Sequence, residues 1–250
     1  MRNSGFGCLI VSGESNWDDS LMSGYVLLEG GAEFGGRMAE ADKQALELAG
    51  GLDVQVTIIP AAAAPDNNHE HAGQTGARWF EQLGARHARL LPLIDHASAN
   101  QAFIAASLRD SRLIYLLGGF PRYLAQTLTN SLSWQAMLEA YHAGAVVGGS
   151  SAGAMVLCQH YYDPGDGSTI EGLNLVPEVC VVPHHNTFGR GWLSQLMASL
   201  PGDAIIGIDE ETGMIDDGPD GKWGVYGKGS VTLYRNGEIS IYHRGEQFFL

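Results

Sequence analysis

Between Ala145 and Leu157 an apolar, strand-like run passes through Gly149-Ser150-Ser151-Ala152-Gly153 into a helix-compatible one. A Gly-x-Ser-x-Gly pattern in that context predicts a nucleophile elbow, with Ser151 on a sharp turn and its hydroxyl presented at the strand's end. Gly149 and Gly153 suit the turn because a Cβ two residues to either side of the serine would crowd it. Ser150 does not fit, since Ala152 stands where its second glycine would be. With 34 Gly and 17 Ser in 250 residues, roughly 0.3 such patterns arise by chance, so it is the strand before and the helix after that give this one weight.

A serine hydroxyl is a weak nucleophile at neutral pH and needs a base within reach, held in turn by a carboxylate. Among nine histidines, His184 stands out because it directly follows a predicted parallel strand and so is expected at the same sheet edge as Ser151. His185 is its rival, and the residues alone do not separate the two. Asp209, Glu210 and Glu211 follow another predicted strand and are the candidate acids. The oxyanion of an acyl-transfer intermediate needs backbone donors. The amide of Ala152 is one, and that of Gly119, in a side-chain-free turn, is the other. Each feature also has a plainer reading: a packing turn, a histidine pair in a loop, a solvated acidic turn. Metal chemistry would rest on His69-Glu70-His71 with His184 and His185, but no carboxylate-histidine helix motif completes a three-ligand site, so neither a metal nor a cofactor is assigned.

The elements that must position these groups alternate. Strands are expected at Tyr25–Leu28, from Val54 to Pro60, at Arg89–Leu93, Leu113–Leu117 and Ala145–Val147. Helices are expected at Arg37–Ala49, Thr75–Leu83, Ala99–Leu108, after Pro121, and at Trp134–His142. Such alternation predicts a mostly parallel sheet with helices on both faces, a three-layer α/β sandwich whose ligands bind beyond the strands' carboxyl ends. Further on, Glu178–Val182 and Ala204–Ile208 read as strands around a helix near Trp192–Leu200. The segments Trp223–Tyr234 and Glu238–His243 read as an antiparallel hairpin turning at Asn236-Gly237. The opening residues 1–21 read as an irregular N-terminal extension, and 22–250 as a single α/β serine-hydrolase domain.

Composition narrows the partners. A net charge of −14, from 28 acidic and 14 basic residues, argues against nucleic acid and anionic membrane surfaces. No apolar run reaches the roughly 18 residues of a membrane span. Cys8, Cys158 and Cys180 are odd in number and widely spaced, which suits free thiols in a reducing cytoplasm.

Taken together, Gly118-Gly119, Gly149 to Ala154, Pro183-His184 and Gly207-Ile208-Asp209-Glu210 resemble the cyanophycinase and aspartyl dipeptidase (dipeptidase E) family of serine peptidases, from about Tyr25 to the C-terminus. The resemblance implies a flavodoxin-like, class I glutamine-amidotransferase-like fold and hydrolysis, through an acyl-enzyme, of small peptides or isopeptides next to an aspartyl residue. It implies Ser151 as nucleophile, His184 as base and Glu210 as orienting acid, as in the cyanophycinase branch. The dipeptidase branch would take its acid from the segment holding Asp163 and Asp166. A serine at the elbow argues against a glutaminase, since the related amidotransferases use cysteine.

Where cyanophycinases carry Asp-Gln after the glycine pair this chain has Phe120-Pro121, and for their Asp-Gln-His-Phe it has Val182-Pro183-His184-His185. Those positions shape substrate contacts. Phe120 and His185 are therefore expected in the substrate site, with Arg190 able to pair with a substrate carboxylate through its planar fork. A homodimer is the assembly left open. The competing reading is a non-catalytic relative that binds a small molecule or protein partner in the same crevice.

Overall fold

The structure, a computed structural model, describes residues 24–250; the extension expected over residues 1–21 lies outside them. Five strands run parallel: β1 (Tyr25–Glu29), β2 (Gln55–Ile59), β3 (His87–Leu90), β4 (Leu113–Leu116) and β5 (Val146–Ser150). Between them lie α1 (Ala39–Ala49), α2 (His69–Gln82), α3 (His96–Ala99), α4 (Ala102–Arg109), α5 (Pro121–Leu128) and α6 (Leu132–His142). Side-chain alternation along β1 shows how the layers form. Leu27 joins Ala41, Ala45 and Leu46 of α1 and Phe80 of α2 in one core, while Val26 and Leu28 face the opposite core with Leu108, Leu124 and Met137 of α4 to α6. Both faces of the strand are apolar because both are covered.

The helix expected from Thr75 begins at His69. Its polar first turn faces outward while Gly73, Gly76 and Phe80 form the buried stripe, so the apolar signal starts later than the helix does.

After β5 the chain runs through α7 (Ala152–Leu157), β6 (Cys158–Asp163), β7 (Ser168–Glu171), β8 (Val176–Val182), α8 (Leu193–Ser199), β9 (Ala204–Ile208), β10 (Thr212–Ile215), β11 (Trp223–Gly227), β12 (Ser230–Arg235), β13 (Glu238–His243) and β14 (Gln247–Phe248). Two sheets result, in the orders β14-β11-β10-β1-β5-β4-β2-β3 and β13-β12-β9-β8-β6-β7. The strand ahead of His184 and the strand ahead of Glu210 therefore belong to the second sheet, not to the elbow's sheet edge as expected. Pairing explains why: β5 already lies between β1 and β4, and the other edge of β1 is taken by β10. The hairpin turns at Asn236-Gly237, both residues at positive φ (54° and 81°) as a tight primed turn requires. Trp223–Tyr234, however, is two strands, broken where Gly227 takes φ +102°, and its halves serve different sheets. Among the described residues no helix is long and apolar enough to cross a membrane.

Candidate active site

Ser151 sits between β5 and α7 with φ 49° and ψ −112°, a conformation that non-glycine residues rarely adopt. Its flanks show why glycine is required there. A Cβ on Gly149 would lie 2.5 Å from the carbonyl carbon of Gly153, and one on Gly153 would lie 2.2 Å from the Leu116 carbonyl oxygen. The turn is held from the neighbouring strand, where Glu29 C=O accepts the Ser151 N–H at 3.0 Å.

His184 arrives from the end of β8, also at positive φ (50°), and its N–H donates to Gly30 C=O at 2.7 Å. Glu29, the last residue of β1, and Gly30 just after it thus hold Ser151 and His184 together across the seam between the sheets. Ser151 Oγ lies 3.0 Å from His184 Nε2, and His184 Nδ1 lies 2.8 Å from Glu210 Oε1. A carboxylate only accepts, so Nδ1 carries the hydrogen and the Nε2 lone pair is left for the serine hydroxyl. Glu210 is itself anchored: its N–H donates to Asn186 Oδ1 at 3.0 Å, and Thr187 Oγ1 donates to its Oε1 at 3.3 Å.

The imidazole is clamped on its faces. A Cβ on Gly31, at φ +108°, would fall 2.2 Å from His184 Cε1, and the Phe188 ring stacks on the imidazole with centroids 4.6 Å apart and planes 24° from parallel. Phe188 is 59% exposed, so it also forms part of the surface beside the site.

Of the two alternative acids, Asp163 and Asp166 both pair with Arg122 rather than with a histidine. Hydrogen bonds from Ser168, then Arg122, pull Asp166 down to about 2. His185 calls for a correction. Expected among the substrate contacts, it is 1% exposed, lies against Gly207, and spans Asp209 Oδ1 at 3.3 Å and Tyr234 Oη at 2.9 Å. Side chains alternate in direction near a strand end, so of two adjacent histidines one enters the site and the other enters the core. Burial alone would raise Asp209, but hydrogen bonds from His185 and Ser230 outweigh it and hold the carboxyl below its ordinary value.

On the other side of Ser151, the Gly118 N–H donates to Glu33 Oε1 at 3.3 Å and the Phe120 N–H donates to Ala62 C=O at 2.9 Å. Between them Gly119 takes φ +137°, where a Cβ would meet the Ala62 oxygen at 2.3 Å. Gly119 and Phe120, which is 43% exposed, border a cavity of roughly 300 Å³ that Glu33, Phe34, Ala63 and His71 also line. Arg190 is exposed on the short turn Gly189–Trp192. Among the described residues no group of three His, Cys, Asp or Glu side chains is arranged to hold a metal ion.

Sequence reasoning missed Gly31, Glu33, Asn186, Thr187 and Phe188. The three after His184 lie within four residues of it and were within reach of local inspection. Gly31 and Glu33, more than a hundred residues upstream, leave no such signal.

A family model described as Peptidase family S51 matches residues 26–219. The chain belongs to that family. This S51 peptidase is 32% identical over 219 residues to a cyanophycinase of Trichormus variabilis, covering 83% of this chain and 72% of the relative. It is 29% identical over 221 residues to a cyanophycinase of Synechococcus elongatus, covering 84% and 67%. A crystal structure of a peptidase from an acI-B1 actinobacterium superposes with a TM-score of 0.83 at 30% identity, over 92% of this chain and 98% of that one. A putative peptidase E protein from Listeria monocytogenes shares the fold, with a TM-score of 0.58 at 20% identity over 86% and 99%. The S51 chain is accordingly a hydrolase of the serine peptidase class with a mixed α/β fold.

Proposed function

We propose that this S51 peptidase cleaves small peptides or isopeptides beside an aspartyl residue through Ser151, His184 and Glu210. The observation that carries the reading is the unbroken run of contacts from Ser151 Oγ through the imidazole to Glu210, at 3.0 and 2.8 Å. In this mechanism His184 Nε2 takes the hydroxyl proton as Oγ attacks the scissile carbonyl, and the imidazolium is stabilised by the Glu210 carboxylate. The oxyanion is met by the amides of Ala152 and Gly119. The proton then passes from Nε2 to the leaving amine, and water, activated by the same nitrogen, releases the acyl group from Ser151.

The likeness to cyanophycinases supports the aspartyl preference, with Arg190 as partner for a substrate carboxylate and Phe120 beside the acyl group. The buried free thiols Cys158 and Cys180 support a reducing compartment such as the cytoplasm. The test compares the protein with its Ser151→Ala variant on a panel of aspartyl dipeptides and β-aspartyl-arginine, alongside capture by a fluorophosphonate. Turnover and capture that both vanish in Ser151→Ala are expected. A wild-type mass unchanged by the probe, with no turnover on the panel, refutes the reading in favour of a binding protein.

A further inference from the structure

Behind the elbow, on the face of the first sheet covered by α1 and α2, two acidic side chains are sealed from water. Glu29, the last residue of β1, and Asp42, on α1, are 0% and 1% exposed. Each has one oxygen satisfied by a neutral donor: Tyr115 Oη donates to Glu29 Oε2, and Trp79 Nε1 donates to Asp42 Oδ2 at 2.7 Å. Their remaining oxygens, Glu29 Oε1 and Asp42 Oδ1, are buried with no partner apart from each other's carboxyl group. Two ionised carboxylates cannot hydrogen-bond, because both only accept, and their like charges repel strongly where water is excluded.

The groups facing the pair bring no positive charge to offset that repulsion. They are Tyr115 from β4, Trp79 from α2 and Glu33 from the loop after β1. From β10 and β5 the register neighbours of Glu29 are Gly213 and Ser150.

We infer that Glu29 and Asp42 hold one proton between them, Glu29 as the acid that donates and Asp42 as the carboxylate that accepts, and that the pair positions the end of β1 for the active site. One proton satisfies both orphaned oxygens at once. The link to the site is short: the carbonyl of Glu29 receives the Ser151 N–H and the carbonyl of the next residue, Gly30, receives the His184 N–H. Glu29 and Asp42 are positioning residues, and the bonds they steady are backbone bonds.

The direction of titration agrees. Burial, then the charge of Asp42, pushes Glu29 well above the carboxylate range. Burial raises Asp42 to about 7 against the pull of Trp79 and Glu29. Both folded values exceed the unfolded ones, so the pair contributes stability fully below the ordinary carboxylate range and loses it as pH rises towards the folded transitions, first that of Asp42 and then that of Glu29. Glutamine at position 29 carries amide hydrogens where the acid carries its proton, and so mimics the state proposed.

Infrared difference spectroscopy at about pH 8 reads a buried protonated carboxyl through its C=O stretch. The band is expected in the wild type and absent in Glu29→Gln, which has no carboxyl at position 29 to carry the proton. Melting temperature gives the second measure: from about pH 5 up to the Glu29 transition the wild type falls relative to Glu29→Gln by about 3–5 °C per pH unit, and the difference levels off above it. The positioning role, which rests on Ser151 being the nucleophile, is read from fluorophosphonate capture, whose rate in the wild type declines relative to Glu29→Gln as pH rises through the Glu29 transition. A wild type without the band, or melting curves that run parallel in the two proteins, overturns the shared proton. Capture rates that run parallel while band and melting differ overturn the positioning role. Capture absent from both proteins at every pH refutes the role of Ser151, and the infrared and melting results still decide the pair.

Discussion

Replacing Gly31 by alanine should disable the site without unfolding the protein. The new Cβ would lie 2.2 Å from His184 Cε1 and 2.7 Å from Nε2, whereas carbon atoms rest at about 3.5 Å or more, so about 1.3 Å must be found. The backbone cannot supply it. Gly30 C=O is bonded to the His184 N–H, Gly31 C=O accepts the Glu211 N–H at 3.1 Å, and Gly30 is itself wedged against Asp209. The imidazole must therefore shift towards Phe188. A displacement of about 1.3 Å normal to the ring lengthens the 3.0 Å contact with Ser151 to about 3.3 Å and tips it some 25° out of the ring plane, where a hydrogen bond weakens. Misplacement of about 1 Å costs on the order of 10²-fold in rate. The added strain at positive φ, about 1–3 kcal/mol, stays below the stability of a typical domain. Fluorophosphonate capture and turnover measured beside thermal unfolding check this, with Gly35→Ala as control because nothing lies within 4 Å of its added Cβ. A folded Gly31→Ala protein that reacts within about threefold of the wild type would refute the clamp.

Three other outcomes are expected. Glu210→Gln should lower turnover by on the order of 10³–10⁴-fold by releasing the tautomer of His184, while Asp163→Asn, which loses only its Arg122 partner, leaves steady-state kinetics unchanged. His185→Ala should cost about 2 kcal/mol in chemical denaturation, since it strips a charged acceptor and a tyrosine of their partner; a raised KM at undiminished stability would return His185 to the substrate site. Asp216 is raised to about 6, chiefly by burial, while its Oδ1 accepts the Val26 N–H at 2.6 Å. Its folded value exceeds the unfolded one, so its contribution to stability is present below about pH 4 and lost as pH rises through 6. Asp216→Asn keeps the acceptor without the charge. Its melting temperature should exceed that of the wild type at about pH 7.5 and match it near pH 4.

Much of this was legible in the residues. The elbow could be read because its glycines answer a local steric demand, and the parallel strands because burial on both faces leaves an unbroken apolar run. What escaped was set by distant partners. Cys158–Asp163 becomes β6 only because β7 and β8 pair with it, and nothing between Leu157 and Cys158 marks the switch from helix to strand. The role of His184 over His185 likewise depends on which face of the strand end meets Gly30, and no spacing encodes that. Glu29 reads as the polar end of a strand, and its unusual surroundings emerge only when α1, α2 and β4 close over it.

In the mechanism we propose, the seam between the sheets also sets when the site is assembled. Residues up to Leu157 complete the elbow, yet the imidazole and its acid come from β8 and β9, which pair with neighbours in a separate sheet. During synthesis the Ser151 hydroxyl therefore emerges before the imidazole proposed to deprotonate it, and a chain interrupted before Val176 lacks both His184 and Glu210. If Ser151, His184 and Glu210 act as proposed, hydrolysis requires the two sheets to be docked and is lost when they part.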